Sequence, residues 1–311
     1  MAENRSKGIV GIFILITALF VIFLIFAFYT VSNLQNASKM DSSLAAGKSG
    51  PIAVVDVEGV IMDSQDTIKK LLIAEKDKKI KAIIMRINSP GGAVGPTQEI
   101  YEEIRRIDLN EKPVYASFGT VAASGGYYIG AATRKIFTNA GALTGSIGVI
   151  MNFFNLSELY EWAKVKPEIV KAGKYKDIGS ASRSMTREER MLMNEMIENV
   201  HNQFVMDIFK VREKKIKDGL EGLKKYSQGQ IFSGEGALEL GLVDEISGLW
   251  EAGRRIHKEM DLKEKFGLKF IKLKKDVSLF EIMRGLEQSV KNINHKVKSP
   301  DVPLFLYKPQ V

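Results

Sequence analysis

Ser124 lies among small residues in Ala122-Ala123-Ser124-Gly125-Gly126-Tyr127-Tyr128, and the three histidines, His201, His257 and His295, all fall well downstream. A serine hydroxyl is a weak nucleophile until a neighbouring base takes its proton. A serine poised at a helix N-terminus points to acyl transfer, because the positive end of the backbone dipole favours negative charge there. Ser89-Pro90-Gly91-Gly92 offers the second part of such a site. Paired glycines let the backbone approach a ligand and present N–H groups to a developing oxyanion. The backbone N–H groups of Gly92 and Gly125 are the candidate oxyanion donors. Each segment also has a plainer reading, a tight turn at Gly91-Gly92 and a close helix–strand contact at Ser124. The base is the missing component. His201 sits within a long helical pattern, and His257 and His295 lie beyond the last fold-like element. A lysine can serve if desolvation keeps it neutral, but the many lysines leave the choice open.

The elements that must position these residues follow from apolar patterning. Ile52 to Val57, Ala82 to Ile87, Pro113 to Phe118 and Lys135 to Thr138 read as strands. Asp66 to Lys79, Thr97 to Ile107 and Ala123 to Thr133 read as helices between them. This alternation predicts an α/β fold of parallel β-α units with helices packed outside the sheet. Thr186 to Lys215 reads as a long helix opening on a capping box, Thr186 with Glu189 three residues on. Residues 193, 197, 200, 204, 208 and 211 give it one apolar face. Ser233 to Ile246 reads as a short helix followed by a strand, Gly241 to Glu245.

Composition narrows the function classes. The chain has no cysteine, which excludes disulfides, thiolate catalysis and cysteine-held metals. The three scattered histidines give no metal cluster, so neither a metal nor another cofactor is expected. The net charge of +8 is spread over many lysines without an aromatic-rich basic motif, so no nucleic-acid partner is expected. Residues 9–29 are uncharged and almost wholly apolar. At about 1.5 Å per residue, such a run spans a bilayer core of roughly 30 Å. It is too long for the apolar region of a cleaved signal peptide. Arg5 and Lys7 precede it, which places residues 1–8 on the cytoplasmic side and the remainder outside. The expected organisation is a stub over 1–8, a transmembrane signal anchor over 9–29, a polar linker over 30–50, a catalytic domain over 51–261 and a C-terminal extension over 262–311. The lipid bilayer is thus an expected partner.

Five motifs, taken jointly and in order, carry a resemblance. They are Ile87-Asn88-Ser89-Pro90-Gly91-Gly92, Ala123-Ser124-Gly125-Gly126-Tyr127-Tyr128, Leu143-Thr144-Gly145-Ser146-Ile147-Gly148-Val149, Gly173-Lys174-Tyr175-Lys176-Asp177 and Ala237-Leu238-Glu239-Leu240-Gly241-Leu242-Val243-Asp244. Together they resemble the signal peptide peptidase A family, in its short form with each motif present once. The resemblance implies a Clp protease and crotonase-like β-β-α superhelix. It implies a Ser–Lys dyad with Ser124 as nucleophile and Lys176 as base. Ser146 matches a serine that orients the lysine amine. Lys174 lies two positions from Lys176, and on an extended segment both would face one side, so periodicity does not separate them. A histidine in the Clp position would fall near Val149, and none is there.

The resemblance further implies a homo-oligomeric ring in which the serine of one subunit meets the lysine of the next. The implied substrates are cleaved signal peptides and similar apolar peptides. Two other readings share the fold: a crotonase-like acyl-CoA enzyme, and a non-catalytic membrane scaffold. The tail ending in Pro303-Leu304-Phe305-Leu306-Tyr307 fits either a neighbour or the catalytic rim.

Overall fold

Alternating residues of the central strands are buried on two opposite faces, which is what makes these segments strands. In Ile52–Glu58 (β1) and Ala82–Ser89 (β2), Val55, Val57, Ile83, Met85 and Ile87 enter one core, while Ile52, Val54 and Ile84 enter the other. Side chains of a strand point alternately up and down, so an apolar run with no polar face is stable only in a sheet covered on both sides. The computed structural model describes residues 50–273 and the backbone of Leu304–Leu306. The anchor at 9–29 and most of the expected linker lie outside the described residues. Among those described, no helix is long and apolar enough to cross a membrane.

The remaining strands are Gly91–Ala93 (β3), Val114–Ala123 (β4), Ile136–Thr138 (β5), Leu143–Gly145 (β6), Ile231–Ser233 (β7), Glu245–Ile246 (β8), Leu268–Phe270 (β9) and Leu304–Leu306 (β10). The helices are Gln65–Lys76 (α1), Val94–Asn110 (α2), Gly125–Ala131 (α3), Ser157–Trp162 (α4), Arg187–Arg212 (α5), Gly219–Tyr226 (α6), Gly234–Glu239 (α7) and Leu249–Glu259 (α8). The main sheet runs β7-β6-β4-β2-β1-β9, and β5 and β8 branch from β4. Every pairing in it is parallel except β6 with β7. Helices α1, α2, α3 and α5 contribute to one core, and α8 covers the other face. Each fully buried aliphatic side chain contributes about 1.5–3 kcal/mol.

Several elements differ from the pattern read off the sequence. Gly91-Gly92 is no turn: Pro90 breaks the chain, and β3 resumes as a strand bridged to Ile61. A Cβ on Gly92 would stand 1.9 Å from the Ile61 carbonyl oxygen, so glycine is required there by close backbone approach. The strand expected over Gly241 to Glu245 is only Glu245–Ile246, because Gly241 has φ +75° and turns the chain. Strand β9, from the stretch read as a C-terminal extension, adds to the sheet beside β1. The capping box of α5 is present as expected, with the Glu189 N–H donating to Thr186 Oγ1 at 3.2 Å and the Thr186 N–H donating to Glu189 Oε2 at 2.8 Å.

Candidate active site

β4 and α3 meet at Ser124, and the backbone bends sharply to make the junction. Ser124 has φ +53° and ψ −118°, a region that residues other than glycine seldom occupy. Such a conformation costs on the order of 1–3 kcal/mol and persists only where the surroundings impose it. They do so here. The Ser124 N–H donates to the Gly145 carbonyl at 2.8 Å, and its own carbonyl accepts from the Tyr128 N–H at 2.8 Å. Helix α3 is buried along its whole length. A Cβ on Gly126 would come 2.7 Å from the Ser89 carbonyl oxygen, and one on Gly130 2.5 Å from the Phe118 ring. The glycines therefore let α3 dock directly on β2 and β4. The Tyr127 hydroxyl ties it to the Leu242 carbonyl at 2.8 Å, and the Tyr128 hydroxyl donates to Asp207 on α5.

A bulge aims the end of β4. Ile87 pairs with Phe118 and Ser89 with Ala122, so β4 carries extra residues opposite Asn88. Asn88 Oδ1 accepts the N–H groups of Thr120 and Val121, each at 3.2 Å. Bulges of this kind redirect side chains near sites. Ser89 is fully buried, and its hydroxyl accepts the Gly91 N–H at 3.1 Å, which holds the start of β3. Neither Asn88 nor Ser89 stood out in the sequence as a supporting residue, although both lie within a motif. Their roles depend on a register shift that no local pattern displays.

The fold brings four of the five expected residues into one place. Ala123 pairs with Gly145, so Ser124 and Ser146 leave adjacent parallel strands side by side. Ser146 is 9% exposed, has φ +50°, and its N–H donates to the Gln230 carbonyl at 2.6 Å. Gly125 opens α3, and Gly92 lies in β3, just past the end of β2. The Ser124 hydroxyl is buried and has no hydrogen-bond partner among the described residues; Ser227 is in the same condition. Beside Ser146 opens a cavity of about 480 Å³, lined also by Val149, Ile197, His201, Ser227 and Ile231.

Lys176 is the residue the single chain does not bring in. It is exposed, and the unpartnered Ser124 hydroxyl shows that its amine is not within hydrogen-bond reach. The segment around it is not extended, contrary to the sequence reading. Gly173 has φ +105°, and successive turns follow. The Lys176 N–H donates to the Gly173 carbonyl at 3.3 Å, and the Ile178 N–H to the Tyr175 carbonyl at 3.1 Å. Lys174 and Lys176 therefore do not share a side by strand alternation. Lys174 is engaged by Glu188 and Tyr175, which push its amine pKa up and favour the charged form.

An ionic cluster anchors the segment from behind. Arg183 donates to Asp177 at 3.0 Å and to Glu189 at 2.6 Å, six residues away on either side. Arg183 holds the Glu189 carboxyl down at about 2 and lowers that of Asp177 as well. The remaining candidates stay structural. His201 Nε2 lies 2.7 Å from the Ser227 carbonyl oxygen, and His257 Nε2 lies 2.7 Å from that of Glu264. His295 lies outside the described residues. Among the described residues no group of His, Asp or Glu is placed to hold a metal ion.

Comparison with known proteins bears on the family and the fold. The model of peptidase family S49 matches residues 106–263, and that of Clp protease matches residues 54–143. The latter fits the mixed α/β sheet with its covering helices. A putative protease of Synechocystis sp. is 39% identical over 63% of this chain and 69% of its own length. A putative signal peptide peptidase SppA of Enterococcus faecium is 33% identical over 68% of this chain and 64% of its own. The chloroplastic serine protease SPPA of Arabidopsis thaliana is 30% identical over 80% of this chain and 36% of its own.

Proposed function

This chain belongs to peptidase family S49 and is a serine peptidase, and we propose that Ser124 is its nucleophile and Lys176 its base. The observation that carries the reading is the Ser124 hydroxyl, which sits on a strained strand-to-helix elbow, buried and without a partner among the described residues. Neutral Lys176 takes the Ser124 proton as the oxygen attacks a peptide carbonyl. The N–H groups of Gly92 and Gly125 hold the oxyanion, each donor being worth roughly 3 kcal/mol. Protonated Lys176 returns its proton to the leaving amine, and water then hydrolyses the acyl-enzyme. Ser146, beside Ser124, orients the amine. Of the two nearby lysines, Lys174 is paired with Glu188, which raises its amine pKa, and this favours Lys176.

Lys176 is exposed in the single chain, so the proposed dyad needs a second surface that brings it to Ser124. We assign that surface to a second copy of this chain, in a ring where each Ser124 meets a neighbour's Lys176. The stretch around Lys176 supports this, because it leaves Phe154, Trp162, Val165 and Val170 exposed, with Trp162 81% exposed. A run of exposed large apolar side chains along one segment fits an interaction site. The proposed substrates are cleaved signal peptides and similar apolar peptides. The proposed location is the outer face of a membrane, with residues 9–29 as anchor. The winding of the β-α units as a β-β-α superhelix belongs to the same proposal and is supported by the Clp-type match.

The first test is labelling of the intact protein with a fluorophosphonate, followed by mass spectrometry. Ser124 is expected to carry the adduct, and Ser124→Ala is expected to abolish both labelling and peptide hydrolysis. Full hydrolysis by Ser124→Ala, or an adduct on another serine alone, would sink the assignment.

A further inference from the structure

Strand β4 changes partners on its way to Ser124. Its edge away from β2 pairs with β5 at Ala116 and Ser117 and with β6 from Val121 onward. Toward β2, Ile87 pairs with Phe118 and Ser89 with Ala122, so Gly119, Thr120 and Val121 stand opposite Asn88 alone. Gly119 and Thr120 thus have no ladder partner on β2, β5 or β6. Two side chains of β2 bridge the gap. Arg86 Nη1 donates to the Phe118 carbonyl at 2.7 Å and to Ser117 Oγ at 3.0 Å. Asn88 Oδ1 accepts the N–H groups of both Thr120 and Val121. Asn88 is itself anchored, since it pairs with Glu58 of β1 and its carbonyl accepts the Gly59 N–H at 3.0 Å. Two extra residues preserve the alternation of a strand, and Phe118 and Ala122 accordingly enter the same core. What they change is register. In an unbroken ladder Ala122 would stand opposite Gly91, two residues farther on, or roughly 7 Å at about 3.3 Å per residue.

We propose that Asn88 is a positioning residue, whose side-chain oxygen fixes the bulge and with it the spacing between the Gly92 N–H and the Ser124–Gly125 elbow. The inference rests on the reading of Ser124 as nucleophile and of Gly92 and Gly125 as oxyanion donors. The candidate site is joined from two halves. Gly92 follows β2, whereas Ser124, Gly125 and Ser146 belong to β4, α3 and the end of β6, beyond the bulge. Asn88 is the side chain of the first half that holds the second by its backbone. It is exposed, so its role is not core packing. A Cβ on Gly119 would lie 3.0 Å from Asn88 Cβ and Oδ1, which shows how closely the bulge is fitted to this side chain. Two oxyanion donors act together only when both point at the same developing charge. An error in their spacing is therefore felt in the transition state more than in the bound substrate.

The experiment uses the full chain and the variants Asn88→Ala, Asn88→Asp and Gly119→Ala. Asn88→Ala removes the acceptor, Asn88→Asp keeps an oxygen in its place, and Gly119→Ala presses on it from β4. Amide hydrogen exchange at Thr120 and Val121 is measured together with kcat and KM for a fluorogenic apolar peptide. In Asn88→Ala, kcat is expected to fall about tenfold or more with KM within about twofold of the parent. Exchange at Thr120 and Val121 is expected to rise about tenfold or more, reporting local opening. Asn88→Asp should keep kcat within about threefold of the parent, and Gly119→Ala should lower it as Asn88→Ala does. An unchanged kcat in Asn88→Ala would overturn the positioning role, as would an equal loss in Asn88→Asp. A rise in KM alone would also overturn it, because it would make Asn88 a substrate contact. The two readings separate through Ser124→Ala. If that chain hydrolyses peptide, the nucleophile assignment falls and the positioning role with it; if it is inert while Asn88→Ala is normal, only the positioning role falls.

Discussion

Ser124 sits on a strained backbone. A serine at φ +53° and ψ −118° is held there by the Gly145 carbonyl on one side and by the buried α3 on the other. The hydroxyl is left buried and without a hydrogen-bond partner among the described residues. The neighbouring glycines are the condition for this, which separates two kinds of substitution. Gly126→Ala places a methyl group 2.7 Å from a backbone oxygen that cannot swing away. It is expected to destabilise by about 1–3 kcal/mol, read as a thermal midpoint lower by roughly 2–4 °C per kcal/mol. Ser124→Ala removes an oxygen with no partner, so its midpoint should stay close to that of the parent while activity is lost. Equal melting of Gly126→Ala and the parent would mean that α3 can move off β2.

The Lys176 turns are held by charge more than by burial. Arg183 binds Asp177 and Glu189, and Glu189 also closes the capping box of α5. Both carboxyls have folded pKa values below their ordinary ones, Glu189 about 2 against 4.5. A lowered pKa means that the stabilisation is complete above the unfolded value and is lost as pH falls through the folded one. The segment should therefore stay ordered above about pH 4.5 and loosen progressively toward about pH 2, as followed by limited proteolysis near Lys176. In Arg183→Ala the pairing is gone, and proteolysis there should be faster at neutral pH with little further change on acidification. A retained acid transition in that variant would assign the effect to another group.

At the scale of the whole molecule, the described chain leaves Lys176 exposed and out of hydrogen-bond reach of the buried Ser124 hydroxyl. Ser124, Ser146, Gly92 and Gly125 lie at or near strand ends, while Lys176 is exposed, as are Trp162, Val165 and Val170 earlier in its segment. Mixing Ser124→Ala with Lys176→Ala subunits is expected to restore activity that neither has alone, because some interfaces then pair an intact serine with an intact lysine. No recovery after subunit exchange has been verified would rule out shared sites. Val170→Glu, at a fully exposed position in the proposed subunit contact, is expected to favour smaller species in sedimentation. Its activity should fall by about tenfold or more while the circular dichroism spectrum is kept.

The sequence by itself determined the α/β alternation, the capped helix at Thr186 and the local context of Ser124. Each is encoded over a few residues, by apolar period, by a cap pair or by glycines that permit close packing. It also placed Gly92 and Ser146 in motifs, but not their distance from Ser124. Only the tertiary structure decided that β4 runs between β2 and β6, that a bulge at Asn88 aims its end, and that Gly91-Gly92 is a strand with one edge on Ile61. It also decided that Lys176 rides on turns and not on an extended segment. These features arise from register and from contacts between residues far apart in the chain, which local patterns do not encode. For the same reason the sequence left the tail at Leu304 to Leu306 open between a neighbour and the catalytic rim, and the fold pairs its backbone with Gly91–Ala93.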